Sequence, residues 1–297
     1  MLSLHTNNAA LSAQNSIGRT QSALSTSQTR LSTGYRINSA MDDAAGLQIA
    51  TRLKTQTSGM TVAMRNTQNS ISMLQTAEGA LDETSNILNR MKDLATQAAD
   101  GSSTADDKKA MQSEYNSLTQ ELSNILGNTS FGGTKLFAGT DSKLSTAGGV
   151  TFQIGASSDE TMKLDITGDA DTGVAGMHAK IALAATQYKL DGADGDFTSN
   201  SELTDSANAT IDLLKTAIDA VGSVRSSIGA ASNRLDHVYN NLSNISTNTK
   251  AATGRIMDVD FASESANMTS SQMLLQAGTA MLKQSNSQSS LVLSLLQ

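Results

Sequence analysis

The side chains that could carry chemistry are few and scattered. Three histidines, His5, His178 and His237, stand far apart in the chain, and none belongs to the His-Glu-x-x-His arrangement that sets two imidazoles on one helical face for zinc. There is no cysteine, so a thiolate nucleophile, a thiolate metal site and a disulfide framework are excluded together. Residues 127–135 have the look of a phosphate loop, but Gly132 is followed by Gly133-Thr134 and the Gly-Lys-Ser/Thr element is missing, which leaves a turn. Asp194-Gly-Asp196-Phe-Thr198-Ser-Asn200 spaces oxygens as a calcium loop does. Ser199 fills its glycine position and Asp205 the place of its closing glutamate, so it reads as a solvated acidic loop. Asn128, Asn208, Asn241, Asn244 and Asn267 match the N-glycan acceptor pattern. Four of them fall on expected helices, and all five read as chance. The chain is therefore expected to be no enzyme, with no catalytic residues, no cofactor and no metal.

Composition turns attention from sites to elements. The 297 residues include no Pro, no Cys and no Trp, and aromatics make up 3%. Few large side chains are on hand for two compact cores; the abundance of Ala, Ser, Thr, Asn, Leu and Met suits slender helices packed side by side. A net charge of -7 offers no basic stripe for phosphates, which excludes nucleic acid as a partner. No stretch approaches the roughly 18 apolar residues that cross a bilayer. Met1–Ile17 lacks the charged start and apolar run of a secretory signal. Neither a membrane anchor nor a conventional export signal is expected.

What the chain does contain is seams. Leu214, Val221, Ile228, Leu235, Leu242, Thr249 and Ile256 recur every seventh position, with Ile211, Ile218 and Tyr239 beside them. That period keeps one narrow face of an underwound helix against a partner. A helix from about Leu203 to Ile256 would run roughly 80 Å, so it needs other helices alongside. Leu4 and Leu11, then Ile17, Leu24 and Leu31, give a similar row near the start, with one slip after Leu11. Met60, Met64, Ile71, Leu74, Leu81, Leu88 and Ala95, flanked by Ile87, Met91, Leu94 and Ala98, make a face wide enough for two neighbours. Asp100-Gly101-Ser102-Ser103 stops that helix, Gly101 being expected to supply a left-handed exit and the following Ser/Thr a cap for the next. The next carries Met111, Tyr115, Leu118, Leu122 and Ile125, with Asp106 and Asp107 in its first turn, and ends at Gly127-Asn128. The closing seam is Phe261, Met268, Leu275, Leu282 and Leu295, with Leu274 and Met281 alongside.

Between Asn128 and Asn200 the pattern changes. Residues 150–155 and 162–167 alternate apolar with polar around 156–160 and read as one β-hairpin. Residues 181–185 are ambiguous. The expected fold class is mainly α: a long-helix coiled coil and helical bundle formed by pairing of N- and C-terminal segments, with a small β-hairpin-containing middle region.

Several of these segments resemble one family closely. Residues 30–50, Arg-Leu-Ser-Thr-Gly-Tyr-Arg-Ile-Asn-Ser-Ala-Met-Asp-Asp-Ala-Ala-Gly-Leu-Gln-Ile-Ala, are similar to the N-terminal signature of bacterial flagellin. So are Thr76-Ala-Glu-Gly-Ala-Leu, residues 88–95, Phe131-Gly-Gly-Thr-Lys-Leu-Phe, Asp258-Val-Asp-Phe-Ala, Gln276-Ala-Gly-Thr-Ala-Met-Leu and the closing Val292-Leu-Ser-Leu-Leu. The resemblance covers roughly residues 1–167 and 203–297, in order. Three positions depart from the family pattern: Ser289 replaces a proline, Gln297 a common arginine and Met41 a frequent lysine. Ser289 should let the last helix run further.

The resemblance implies a structural subunit of the flagellar filament, secreted through the hollow polymer to the extracellular tip without a cleaved signal. It implies an inner-core coiled coil from 1–43 plus 257–297. It also implies an outer-core helical domain with the hairpin from 44–167 plus 203–256, and a short variable surface segment at 168–202. The implied partners are further copies of the chain, the flagellar cap, hook-associated proteins, the export chaperone and apparatus, and host flagellin receptors. Polymerisation would fall to the seam Leu4, Leu11, Ile17, Leu24, Leu31, Phe261, Met268, Leu275, Leu282 and Leu295. Receptor contact would fall to Leu88, Arg90 and Leu94, though Leu88 and Leu94 also belong to the packing rows. The terminal seams are too thin to offset the cost of ordering their segments as a lone helix pair. Folding of both ends is therefore expected to accompany assembly. A hook–filament junction protein is the alternative within the family. A flagellin-like secreted enzyme and an intracellular coiled-coil scaffold are alternatives from other classes.

Overall fold

The computed structural model describes residues 7–138, 142–146, 148–168, 172–189 and 201–295, with side chains in the last helix described as far as residue 287. In chain order the elements are α1 (Asn8–Thr33), α2 (Ala44–Ala99), α3 (Ala105–Asn128), β1 (Ser130–Phe131) and β2 (Thr134–Lys135). They continue with β3 (Val150–Gln153), β4 (Thr161–Leu164), α4 (Gly173–Ala184), α5 (Glu202–Asp205), α6 (Ala207–Met257) and α7 (Phe261–Leu295). Two compact units emerge: residues 1–57 with 247–297, and residues 58–246. The fold is mainly α, with a paired N- and C-terminal helix and small antiparallel hairpins between, as the seams and the alternating segment foretold.

In the 58–246 unit, both rows of the wide helical face point inward. Leu74, Leu81, Leu88, Met91, Leu94, Ala95 and Ala98 are enclosed, together with Tyr115, Leu122 and Leu126 of α3 and Leu214, Val221, Ile228 and Leu235 of α6. The sevenfold row of α6 is thus largely core. The α2–α3 turn keeps the expected cap but not the expected exit, because Gly101 does not take a left-handed φ. Thr104 caps α3 by accepting from Asp107 N–H at 3.3 Å, and the Asp107 carboxylate accepts from Thr104 N–H at 3.0 Å, a reciprocal capping box. Arg225 of α6 ties to Glu78 and Asp82 of α2, each at 2.8 Å.

The Gly127–Lys135 stretch is a turn. It forms a two-stranded ladder in which Ser130 faces Lys135 and Phe131 faces Thr134. Gly132 and Gly133 close it at φ 58° and 82°, the left-handed pair that a two-residue hairpin connection demands. The expected hairpin is β3–β4, with Val150 opposite Leu164 and Phe152 opposite Met162. Phe152, Met162 and Leu164 turn onto the core, the period-2 signature of a half-buried sheet. The ambiguous 181–185 stretch closes α4, whose Val174, Met177 and Ile181 are buried.

One boundary differs from the sequence reading. The long C-terminal helix starts at Ala207, after a separate turn of helix at 202–205. The reason is Glu202, whose side chain points into the bundle. Its carboxylate accepts from Gln112 Nε2 at 2.9 Å, from Thr186 N–H at 3.2 Å and from the Thr186 hydroxyl at 2.6 Å. Gln112 Oε1 in turn accepts from Leu203 N–H at 2.8 Å. A buried carboxylate is tolerated only with partners of this kind. Satisfying them breaks the helix at Ser206.

Candidate assembly surface

In the unit of residues 1–57 and 247–297, α1 and α7 lie antiparallel. Four contacts fix the register. At one end Asn7 Nδ2 donates to Ser285 O at 3.3 Å while Ser285 Oγ donates to Asn7 Oδ1 at 3.2 Å. Next, Gly278 backs onto Ile17 so closely that a Cβ there would meet Ile17 Cγ1 at 2.9 Å. Then Ser27 Oγ donates to Glu264 Oε1 at 2.6 Å, with Arg30 Nη1 3.6 Å from Glu264 Oε2. At the far end Gly34, held at φ 76° as the left-handed cap of α1, faces the Phe261 ring.

The chain ends of the pair are stitched by backbone. Arg36 N–H donates to Met257 O at 2.6 Å, Val259 N–H donates to Gly34 O at 3.0 Å, and Tyr35 bridges Asp258. Asp260 starts α7 by accepting from the Ser263 hydroxyl at 2.7 Å and Ala262 N–H at 3.1 Å. Those bonds hold its carboxyl below the usual range, Ser263 foremost. Asp42 likewise gathers the Ser39 and Asn38 N–H groups at 2.9 and 3.0 Å, which lower its pKa and shape the connecting loop.

The pair has little core of its own. Along α7 the positions with reduced exposure are Glu264, Met268, Ser271, Leu275, Gly278, Leu282 and Ser285; along α1 they include Ala13, Ile17, Thr20, Leu24, Ser27 and Leu31. The steps of three and four are those of a coiled coil. Among the described residues of the two helices only Ser27 in α1 and Glu264 in α7 are buried, and both are polar; the described oily seam residues are part buried or exposed. Oily layers alternate with small or polar ones. The sequence reading, which followed only the oily row, missed Ser27, Arg30 and Glu264. Their signal was available: the offset row of each seam carries Thr20, Ser27, Glu264, Ser271, Gly278 and Ser285 instead of apolar residues.

The seam residues fall into three groups. Ile17, Leu24, Leu31, Met268, Leu275 and Leu282 stand half buried between the helices. Leu11 and Phe261 are exposed; the slip after Leu11 turns it off the stripe, and Ala13 takes the inner position. Leu4 lies outside the described residues, and of Leu295 only its place in α7 is described. On the opposite face of α7, Met273, Leu274 and Met281 are exposed as well.

In the other unit, Leu88 and Leu94 are enclosed in the bundle, while Arg90 is exposed and grips Glu114 Oε1 through Nε at 2.9 Å and Nη2 at 2.6 Å. Of the three, Arg90 alone presents its side chain to solvent. His178 is buried beside Tyr188, rings stacked 6.0 Å apart, with Nδ1 and the phenol oxygen sharing a hydrogen bond at 2.6 Å. Burial drives its pKa down to about 4, only partly opposed by the Phe137 backbone; Nε2 has no hydrogen bond of normal geometry. That is a core imidazole. Tyr115, donating to Ala184 O at 2.7 Å, is held protonated by burial and by Glu202. Among the described residues no group of three or more His, Asp or Glu could hold a metal, and no helix is long and apolar enough to cross a membrane. His5 and the 194–200 loop lie outside them.

Comparison with known proteins fits this geometry of paired ends. Residues 4–142 match the bacterial flagellin N-terminal helical region, and residues 211–296 match the bacterial flagellin C-terminal helical region. Flagellin A of Vibrio anguillarum is 34% identical over an alignment of 384 positions that takes in 100% of both chains. The chain belongs to the bacterial flagellins. Flagellin of Halalkalibacterium halodurans is 40% identical over 90% of each chain. The alignment with the Vibrio protein is longer than the present chain, so this flagellin lacks insertions that its relative carries. A structure from Vibrio parahaemolyticus assigned as flagellar hook-associated shares the fold at 20% identity and a TM-score of 0.53, covering 73% of this chain and 100% of that one. As a flagellin the chain is a structural subunit of the flagellar filament, which forms by polymerisation of such subunits.

Proposed function

We propose that the α1–α7 pair is the part of this flagellin through which copies join. What supports the reading most directly is the imbalance within the pair. Its buried contacts are a serine and a glutamate, while Leu11, Phe261, Met273, Leu274 and Met281 stay exposed. Apolar surface of this extent on a slender helix pair is stabilised by burial against further helices, at about 25 cal/mol per Å². A head-to-tail contact whose rotation does not close yields an open helical polymer. On this reading 1–43 plus 257–297 line the inner core, 44–167 plus 203–256 form the outer core, and 168–202 supply a short surface segment. The filament then stands outside the cell, and each subunit meets the export chaperone, hook-associated proteins and cap on its way there. The exposed Arg90–Glu114 pair is the point at which a host receptor would read the outer core. The chain acts by assembly and not by catalysis.

The test is growth from filament fragments. Chains lacking residues 1–33 or 261–297 should add to seeds at less than about a tenth of the full-length rate, a factor worth roughly 1.4 kcal/mol. Normal growth from either truncated chain would overturn the proposal. Amide exchange in dilute full-length subunits supplies a second reading. Protection in α1 and α7 should be low before assembly and rise after it.

A further inference from the structure

The chain holds 13 methionines and neither cysteine nor tryptophan, so the thioether is the softest group it offers an oxidant. Most described methionines are shielded. Met60, Met73, Met91, Met111, Met162 and Met177 are buried in the 58–246 unit. Three stand open: Met41 at 97% exposure, Met273 at 60% and Met281 at 66%. The last two belong to α7 and flank Leu274, itself 59% exposed. At about 100° per residue the three fall within an arc of roughly 100°, and Gly278, Leu275 and Leu282 occupy the other side, toward α1. Two oxidisable sulfurs therefore sit on an apolar patch that the helix pair leaves uncovered.

We infer that Met273 and Met281 are an oxidation site that decides whether a free subunit can join the polymer. A hydroperoxide transfers one oxygen to the thioether sulfur. The O–O bond breaks, sulfur is oxidised to the sulfoxide, and hydrogen peroxide leaves as water. The product is a polar, chiral S=O in place of a flexible apolar side chain. In the free subunit the change is harmless, because solvent hydrates the new dipole. Covered by another copy it lacks a hydrogen-bond donor, and burying such a group without a partner is unfavourable. Oxidised subunits are thus excluded from growth, and incorporation shields the same sulfurs from later attack. The inference rests on the proposed role of the α1–α7 pair as the joining surface.

The experiment treats full-length subunits and assembled filaments with the same dose of hydrogen peroxide, maps sulfoxides by mass spectrometry, and measures seeded growth. In free subunits Met41, Met273 and Met281 should oxidise ahead of the buried methionines. In filaments Met273 and Met281 should be protected about tenfold. Oxidised subunits should need about a tenfold higher concentration to elongate, the ratio expected when burial of a polar group costs about 1.4 kcal/mol. A methionine sulfoxide reductase should restore growth. The M273L/M281L chain, which keeps Met41, should grow equally before and after peroxide. If Met273 and Met281 oxidise as fast in filaments as in subunits, the joining surface itself is misassigned. If they are protected but oxidised subunits grow normally, or the double variant loses growth as the parent does, the oxidation inference alone is overturned.

Discussion

The two regions of this flagellin use the same helical material to opposite ends. In the bundle of residues 58–246, α2, α3 and α6 turn Leu74, Leu88, Tyr115, Leu122, Leu214 and Leu235 into one enclosed core, sealed further by β3–β4 and α4. In the α1–α7 pair, equivalent seven-residue rows leave Ile17, Leu24, Leu31, Met268, Leu275 and Leu282 only partly buried, and among the described residues of the two helices only Ser27 and Glu264 are buried. The difference lies in how many faces of each helix find a neighbour. A bundle helix is covered along two adjacent rows; a helix in a lone pair is covered along one. Stability intrinsic to the subunit therefore concentrates in the bundle, and on the proposed reading the pair carries the surface that other copies bury.

Paired substitutions test that contrast most strongly. Leu88→Ala should lower the unfolding free energy of the free subunit by about 2–5 kcal/mol, the usual cost of a cavity in a closed core, read by urea denaturation. Leu275→Ala on the same assay should change it by less than about 1 kcal/mol, within the range of incompletely buried positions, while slowing seeded growth. Equal losses at the two sites would erase the distinction.

Acid is the next lever, and it should act on the bundle. His178 has a folded pKa of about 4, below its ordinary value of 6.5. The neutral imidazole is thus the form that the fold favours. Its contribution is complete above pH 6.5 and is lost as pH falls from there through about 4, amounting to roughly 3 kcal/mol. Urea midpoints at pH 7 and pH 4.5 should differ less for His178→Phe than for the parent; an unchanged difference would remove His178 as the cause.

Smaller effects sharpen the same comparison. Gly222 sits exposed in the middle of α6 with open space around its missing Cβ, whereas a Cβ on Gly278 would press on Ile17. Gly222→Ala should raise stability by about 0.5–1 kcal/mol through helix propensity, seen as a higher thermal midpoint. Gly278→Ala should gain less and should disturb growth, since Ile17 must give way. Smallest of all, Arg90→Ala removes an exposed ion pair with Glu114 and should shift subunit stability by no more than about 1 kcal/mol. A host-receptor reporter response unchanged by that substitution would count against Arg90 as the recognised side chain.

Much of the bundle could be read in advance because its signals are local. The double row on α2, the Ser/Thr cap before α3, the Gly132-Gly133 turn and the alternation of 150–155 with 162–167 each announce their element within a few residues. The Glu202 clasp could not be read this way. Gln112, Thr186 and Glu202 are spread over 90 residues of chain and meet only once the helices have packed. The His178–Tyr188 stack is closer in sequence, yet nothing in the spacing tells a buried imidazole from an exposed one. Along the α1–α7 pair the oily row was visible, but its depth of burial was not.

By itself, the amino-acid sequence determined that long helices fill both ends of the chain, which stripe of each is apolar, and that both ends carry flagellin-like motifs. Periodicity and capping are properties of a single strand of chain, so they need no partner to be expressed. Only the tertiary structure decided that Leu88 is sealed while Leu275 is half open, that Glu264 meets Ser27 across the pair, and that Met273 and Met281 face outward. Burial depends on how many neighbours surround a helix, and that number belongs to the fold and not to any one stretch of residues.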